Sequence, residues 1–218
     1  MADIKEMIQM KKRHFDVETD GFYGAYWKCK TDSDCAMIAM IGDDSEDYLA
    51  RTSVKWLHKL GVNVMTMSPA KKDYGHHNYP LERIEKAISW LKTHGNRKIG
   101  IVGASTTGTL ALTAASYFED ITLTIGLTPS DFIWQGFMQG KRDGCKEWPM
   151  EGESLFSYKG EPLPYMPFCY KHPDYWHVIE KETKRTGDMI NSRKLFDDSE
   201  KVHPIQEDEM IKIEKING

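Results

Sequence analysis

Apolar positions along the first 130 residues repeat with two periods, one of strands and one of helices. Short apolar runs bounded by turn residues, at 35–41, 62–67, 99–102 and 121–127, predict buried strands. Residues 48–60 place Ala50, Val54, Leu57 and Leu60 at helical spacing, with Gly61 as the C-cap. Pro80 starts a second helix over 81–93, with Ile84, Ala87, Ile88 and Leu91 on one face. A third, 110–115, is rich in Ala and Leu and reads as buried. Ahead of these, 14–20 alternates as an edge strand does, and 22–29 reads as an aromatic strand. Together they predict an N-terminal antiparallel hairpin, preceded by an entry helix or arm over 1–13. Strands alternating with helices predict an α/β fold: a mostly parallel sheet, right-handed crossovers and helices on both faces.

From Thr128 the texture changes. Residues 131–180 are rich in Pro, Gly and aromatics with no clear period, and predict an irregular cap over the C-terminal edge of the sheet. The alternative is a plain surface insertion. Residues 180–196 read as a polar helix, and 203–216 as a short helix pointing toward a further strand. The whole, 1–218, is expected to be a single domain, with a core over 14–130, a cap over 131–200 and a closing helix over 201–218.

Composition narrows the partners. The length of 218 residues suits one α/β domain. A formal net charge of -4 leaves no basic footprint for nucleic acid. No apolar run nears the ~20 residues that span a bilayer. The first residues lack the apolar segment of a signal peptide, so a cytoplasmic protein is expected. Cys29, Cys35, Cys145 and Cys169 have neither CxxC nor metal spacing and are expected to be thiols, although Cys29 and Cys35 could face each other across a hairpin. No metal and no cofactor is expected. Twelve Met and six Trp fill a core or, alternatively, line an adaptable pocket for an apolar group.

The candidate chemistry lies at 98–116. Apolar Ile99–Val102 runs into Gly103-Ala-Ser-Thr-Thr-Gly108 and then into the Ala-rich run. Strand, sharp turn with a central Ser, then helix is the geometry of a nucleophile elbow, which lifts Ser105 above the sheet edge. It also aims the first N–H groups of the helix at whatever the hydroxyl attacks. Gly103 and Gly108 would let strand and helix pass closely. The pattern G-x-S-x-G is not met in full: Thr107 stands where the second Gly belongs. Two plainer readings remain open here, a helix N-cap and a phosphate-holding loop. Among other candidate groups, His76 and His77 sit in the long loop 68–79, and His172 and His177 in the cap. His203 reads as a helix-start feature, and His14, His58 and His94 as surface or packing residues. Asp131 reads as a helix cap, or a carboxylate near the sheet edge. Lys71, Lys72, Lys141 and Arg142 could meet phosphates but read as solvated surface.

The order of elements resembles the α/β-hydrolase fold, and more narrowly the C-terminal domain of acyl-CoA thioesterases and bile-acid-CoA:amino-acid acyltransferases, itself similar to dienelactone hydrolases. The stretches that carry the resemblance are Ile-Gly-Asp-Asp-Ser-Glu at 41–46, Trp-Leu-His-Lys-Leu-Gly-Val-Asn-Val at 56–64 and the elbow at 103–108. With them go Thr-Pro-Ser-Asp-Phe-Ile-Trp-Gln-Gly at 128–136 and Tyr-Lys-Gly-Glu-Pro-Leu-Pro-Tyr at 158–165.

The resemblance implies that Ser105 is a nucleophile toward a small-molecule acyl ester or thioester. It implies an oxyanion hole of backbone N–H groups from Thr106 and from Asp43 or Asp44. In that fold the acid and the His follow the next two strands, which would come after Gly218. The expectation is therefore a chain truncated at its C-terminus, with its last strands and two triad members missing. The alternative is a catalytically incomplete or non-catalytic protein that binds acyl ligands or a partner. An unpaired sheet edge would be open to pairing with a second copy.

Overall fold

A computed structural model describes residues 12–42, 44–68, 76–139, 147–168 and 192–213. In chain order its elements are β1 (Lys12–Phe15), α1 (Val17–Asp20), β2 (Gly24–Trp27), β3 (Cys35–Met40), α2 (Tyr48–Lys59), β4 (Asn63–Met67), β5 (Tyr79–Pro80) and α3 (Glu82–Thr93). They continue with β6 (Lys98–Ala104), α4 (Thr106–Tyr117), β7 (Ile121–Leu127), β8 (Gln135–Gln139), β9 (Glu147–Ser154), β10 (Phe156–Tyr158), β11 (Glu161–Pro162) and α5 (Ser192–Val202). Two compact units result. One gathers the described residues within Met1–Lys72, Leu81–Ser130 and Lys212–Gly218, the other those within Asp73–Pro80 and Asp131–Ile211.

The first unit is built on a six-stranded sheet in the order β1-β2-β4-β3-β6-β7. Strands β4, β3, β6 and β7 run parallel, while β1 and β2 form an antiparallel edge. The central strands are continuous apolar runs because both of their faces are covered. Met37, Ala39, Val64 and Val102 of the sheet pack with Val54 and Leu57 of α2 in one cluster. Asp47 starts α2 by accepting the Ala50 N–H at 2.8 Å, and Gly61, at φ 73°, follows its end. Helix α4 lies on β6 and β7, and α3 buries Ile84, Ala87, Ile88 and Leu91, the face its spacing predicts. The expected α/β architecture with a mainly parallel sheet is therefore present.

Several local expectations are corrected. The edge strand ends at Phe15; residues 17–20 form a helical turn because Asp16 accepts the Glu18 N–H and Asp20 accepts the Asp16 N–H. Gly21, at φ 78°, closes that turn. Pro80 does not open α3; with Tyr79 it makes a short strand parallel to β10. Cys29 and Cys35 are separate free thiols, as expected. Cys145 and Cys169 lie outside the described residues, as do the basic pairs 71–72 and 141–142.

In the second unit, the expected irregular cap contains short strands. β8 pairs antiparallel with β9, and β11, β10 and β5 form a three-stranded sheet. Ile133, Trp134, Leu155, Phe156, Leu163 and Met166 are buried in it. The expected helix over 203–216 is absent among the described residues: Glu209 accepts from Gln206 N–H and His203, and Ile133 N–H donates to Glu209 O. Met210 then bridges to Phe132, so strand-like pairing replaces the helix. The polar helix is described over Ser192–Val202, six residues past the expected end at Phe196.

Leu57 is buried in the α2 cluster while Leu49 of the same helix is 53% exposed. We expect Leu57→Ala to lower the unfolding free energy by about 2–5 kcal/mol and Leu49→Ala by under about 0.5 kcal/mol, measured by urea denaturation.

Candidate active site

Strand β6 is buried from Ile99 to Gly103 and emerges at Ala104. Ser105 then takes φ 53° and ψ −123°, a backbone region that favours glycine. Its N–H donates to Leu127 O on β7 at 2.8 Å, and its carbonyl accepts the Thr109 N–H at 3.0 Å. One residue thus ends the strand and begins α4. A relaxed N-cap would have extended backbone and a side chain bonded to the helix; Ser105 has neither. Its side chain is exposed, and no described residue hydrogen-bonds to its Oγ. The Thr106 N–H, first in the helix, likewise has no described acceptor.

The two glycines make this bend sterically possible. A Cβ at Gly103 would lie 2.0 Å from Thr107 O and 2.8 Å from Gly108 N. A Cβ at Gly108 would lie 3.2 Å from Leu127 O. Strand and helix backbones touch there, as the spacing of the glycines predicts. Thr109 Oγ1 accepts the Ser130 N–H at 3.1 Å, which ties the segment after β7 to α4.

The loop after β3 carries the carboxylates. Asp47 accepts from Ala50 N–H and, at 3.2 Å, from Asp44 N–H. Asp44 Oδ1 accepts from the Tyr23 hydroxyl, the Ser45 hydroxyl and the Glu46 N–H, each at 3.3 Å. Glu46 is paired with Lys12, with His14 Nδ1 at 2.6 Å, and with Arg51 at 3.7 Å. Each described carboxylate of the loop has donors of its own, and Lys12 and Arg51 offset the charge at Glu46. Asp43 lies outside the described residues.

The histidines divide between the units. In the first, His14 pairs with Glu46, His58 meets Trp27 O at 3.2 Å, and His94 stacks on Trp90 at 3.8 Å. In the second, His76 stacks on Phe137, His77 Nδ1 meets Glu153 Oε2, and His203 Nε2 meets Glu209 Oε1 at 2.7 Å. His76 and Asn78, on either side of His77, have φ of 25° and 44°. Asp131 caps no helix among the described residues; its carbonyl accepts the Ile211 N–H. His172 and His177 lie outside the described residues. Among those described, no group of three or more His, Cys, Asp or Glu could hold a metal ion, and no helix is long and apolar enough to cross a membrane. Burial raises the pKa of the Tyr26 phenol, an effect partly offset by a hydrogen bond with Asn96.

Sequence reasoning missed the His77–Glu153 pair, since nothing in residues so far apart links them. It also missed the bonds of the Thr107 hydroxyl with Ala104 N–H and Met40 O, although the missing Gly at that position was a visible signal.

Residues 79–218 match the profile of the family described as BAAT / Acyl-CoA thioester hydrolase C terminal. No curated protein matches the chain at a significant level. Among solved structures, the Pyrococcus furiosus esterase Pf2001 is similar at 17% identity over 58% of this chain and 54% of that one, with a TM-score of 0.46. Est1E from Butyrivibrio proteoclasticus is similar at 20% identity over 55% and 51%, with a TM-score of 0.43. The α/β hydrolase GrgF from Penicillium sp. sh18 is similar at 17% identity over 57% and 46%, with a TM-score of 0.45. The chain spans about half the length of these structures. Kinship rests on the family profile and not on these likenesses.

The strain at Ser105 can be measured. Ser105→Gly should be more stable than Ser105→Ala by about 1 kcal/mol, because glycine accepts the backbone angles and alanine does not. Thermal denaturation of the two variants side by side checks this; equal stability would mean a relaxed turn.

Proposed function

The chain belongs to the BAAT / acyl-CoA thioester hydrolase C-terminal family, and from that premise we propose that Ser105 is the nucleophile of an acyl-transfer or hydrolysis reaction on an ester or thioester. The observation that carries the reading is the backbone of Ser105: strained, exposed and set at the start of a helix. Its Oγ would bond to the acyl carbon, the thiolate or alkoxide would depart, and water or another acceptor would release the acyl group. The Thr106 N–H would face the developing oxyanion. A second N–H would come from the loop at Asp43 or Asp44, and at Asp44 it would have to leave Asp47. An imidazole is needed to take the serine proton. The second unit holds two imidazole–carboxylate pairs, His77–Glu153 and His203–Glu209, and neither is assigned to Ser105.

A second reading, an acyl-binding protein without turnover, is favoured by one observation: no described residue hydrogen-bonds to Ser105 Oγ. One experiment separates the two. The purified chain should gain the mass of one adduct from a fluorophosphonate, and Ser105→Ala none. No adduct on the wild type favours the second reading, and an adduct that persists in Ser105→Ala rules out the first.

We also propose self-association through a sheet edge. Among the described residues β7 has no strand on its outer side, and its Leu123 and Leu127 are 52% and 47% exposed. Light scattering at rising concentration should show a dimer that Leu123→Lys weakens; a monomer throughout would contradict it.

A further inference from the structure

The sheet ladder between β3 and β6 runs through Met40↔Gly103 and stops there. Successive N–H groups of a strand point to opposite sides, so Ser105 N–H reaches β7, and Ala104 N–H points back toward β3. There it meets a side chain at the end of the ladder. The Thr107 hydroxyl sits in between. Its Oγ1 accepts the Ala104 N–H at 2.9 Å and donates to Met40 O at 2.5 Å, with Ala104 O also 2.9 Å away. One hydroxyl therefore ties together the backbone groups of both strands where the ladder ends. The backbone it joins lies on both sides of the candidate site: Met40 leads into the 41–44 loop, and Ala104 precedes Ser105. With glycine at 107, as in G-x-S-x-G, nothing from that residue could make the bridge.

We propose that Thr107 is a positioning residue whose hydroxyl sets the gap between the end of β3 and the serine bend, and so the placement of oxyanion donors relative to Ser105 Oγ. This rests on the nucleophile reading of Ser105. The side chain does no chemistry and touches no substrate. It fastens two backbone segments at the end of the ladder, which without the hydroxyl would be looser.

The test compares Thr107→Val, which keeps shape and loses the hydroxyl, with Thr107→Ser, which keeps the hydroxyl. Should Thr107→Val fail to fold, Thr107→Ala takes its place. The first readout is the rate of fluorophosphonate labelling at a temperature where every variant is folded by circular dichroism. Thr107→Val should label slower by on the order of 10²-fold, and Thr107→Ser at about the wild-type rate. The second readout is hydrogen exchange at the Ala104 amide, which does not depend on serine reactivity. It should quicken in Thr107→Val and stay protected in Thr107→Ser. Wild-type labelling in Thr107→Val overturns the proposal even if exchange quickens, because the bridge would then be structural only. An unreactive wild type would sink the nucleophile reading; exchange would then judge the bridge alone, quickening in Thr107→Val upholding it and no change overturning it.

Discussion

Ser105 cannot relax. Its N–H is held by Leu127 O on one side, its carbonyl by the Thr109 N–H on the other, and its backbone sits at φ 53°. A non-glycine residue in such a region costs about 1–3 kcal/mol and persists only where the surroundings fix it. Here the surroundings are the buried strand β6 and the apolar helix α4, packed so closely that a Cβ at Gly103 would strike the Thr107 carbonyl. The sheet, the helix and the two glycines all serve to hold that one exposed hydroxyl at the end of a strand.

On the proposed reading of Ser105, the neighbouring loop faces an electrostatic problem. A site for a developing oxyanion tolerates negative charge poorly. Asp44, Glu46 and Asp47 nonetheless crowd the loop after β3. Each is turned to local work: Asp47 starts α2, Asp44 takes donors from Tyr23, Ser45 and Glu46, and Glu46 gathers Lys12 and His14 from β1. These pairs are partly exposed, so each adds little stability. What they give is direction, since a carboxylate with donors of its own has less reason to turn elsewhere. The antiparallel edge of the sheet thereby takes part in shaping the loop.

Much of the first unit was legible because its signals are local and strong. The runs at 35–41, 62–67 and 99–102 are apolar on both faces, and only a covered parallel strand needs that. The helices announced themselves by spacing and by Gly61. Residues 17–20 misled because short polar residues can bond their own backbone, and Asp16 and Asp20 did so where alternation suggested a strand. The segment after His203 misled for the mirror reason: its helical spacing lost to pairing with residues 131–133, far away in sequence. The bend at Ser105 was readable from strand, glycines and helix together. The bridge made by Thr107 was not, because whether a threonine meets a carbonyl 67 residues earlier is decided only when the strands are in register.

A crystal structure of the fluorophosphonate-treated protein addresses the site most directly. Phosphorus should be bonded to Ser105 Oγ, with the phosphoryl oxygen about 3 Å from the Thr106 nitrogen. Phosphorus on another side chain, or on Ser105 with its oxygen turned away from the start of α4, would contradict the reading of this bend as a prepared nucleophile.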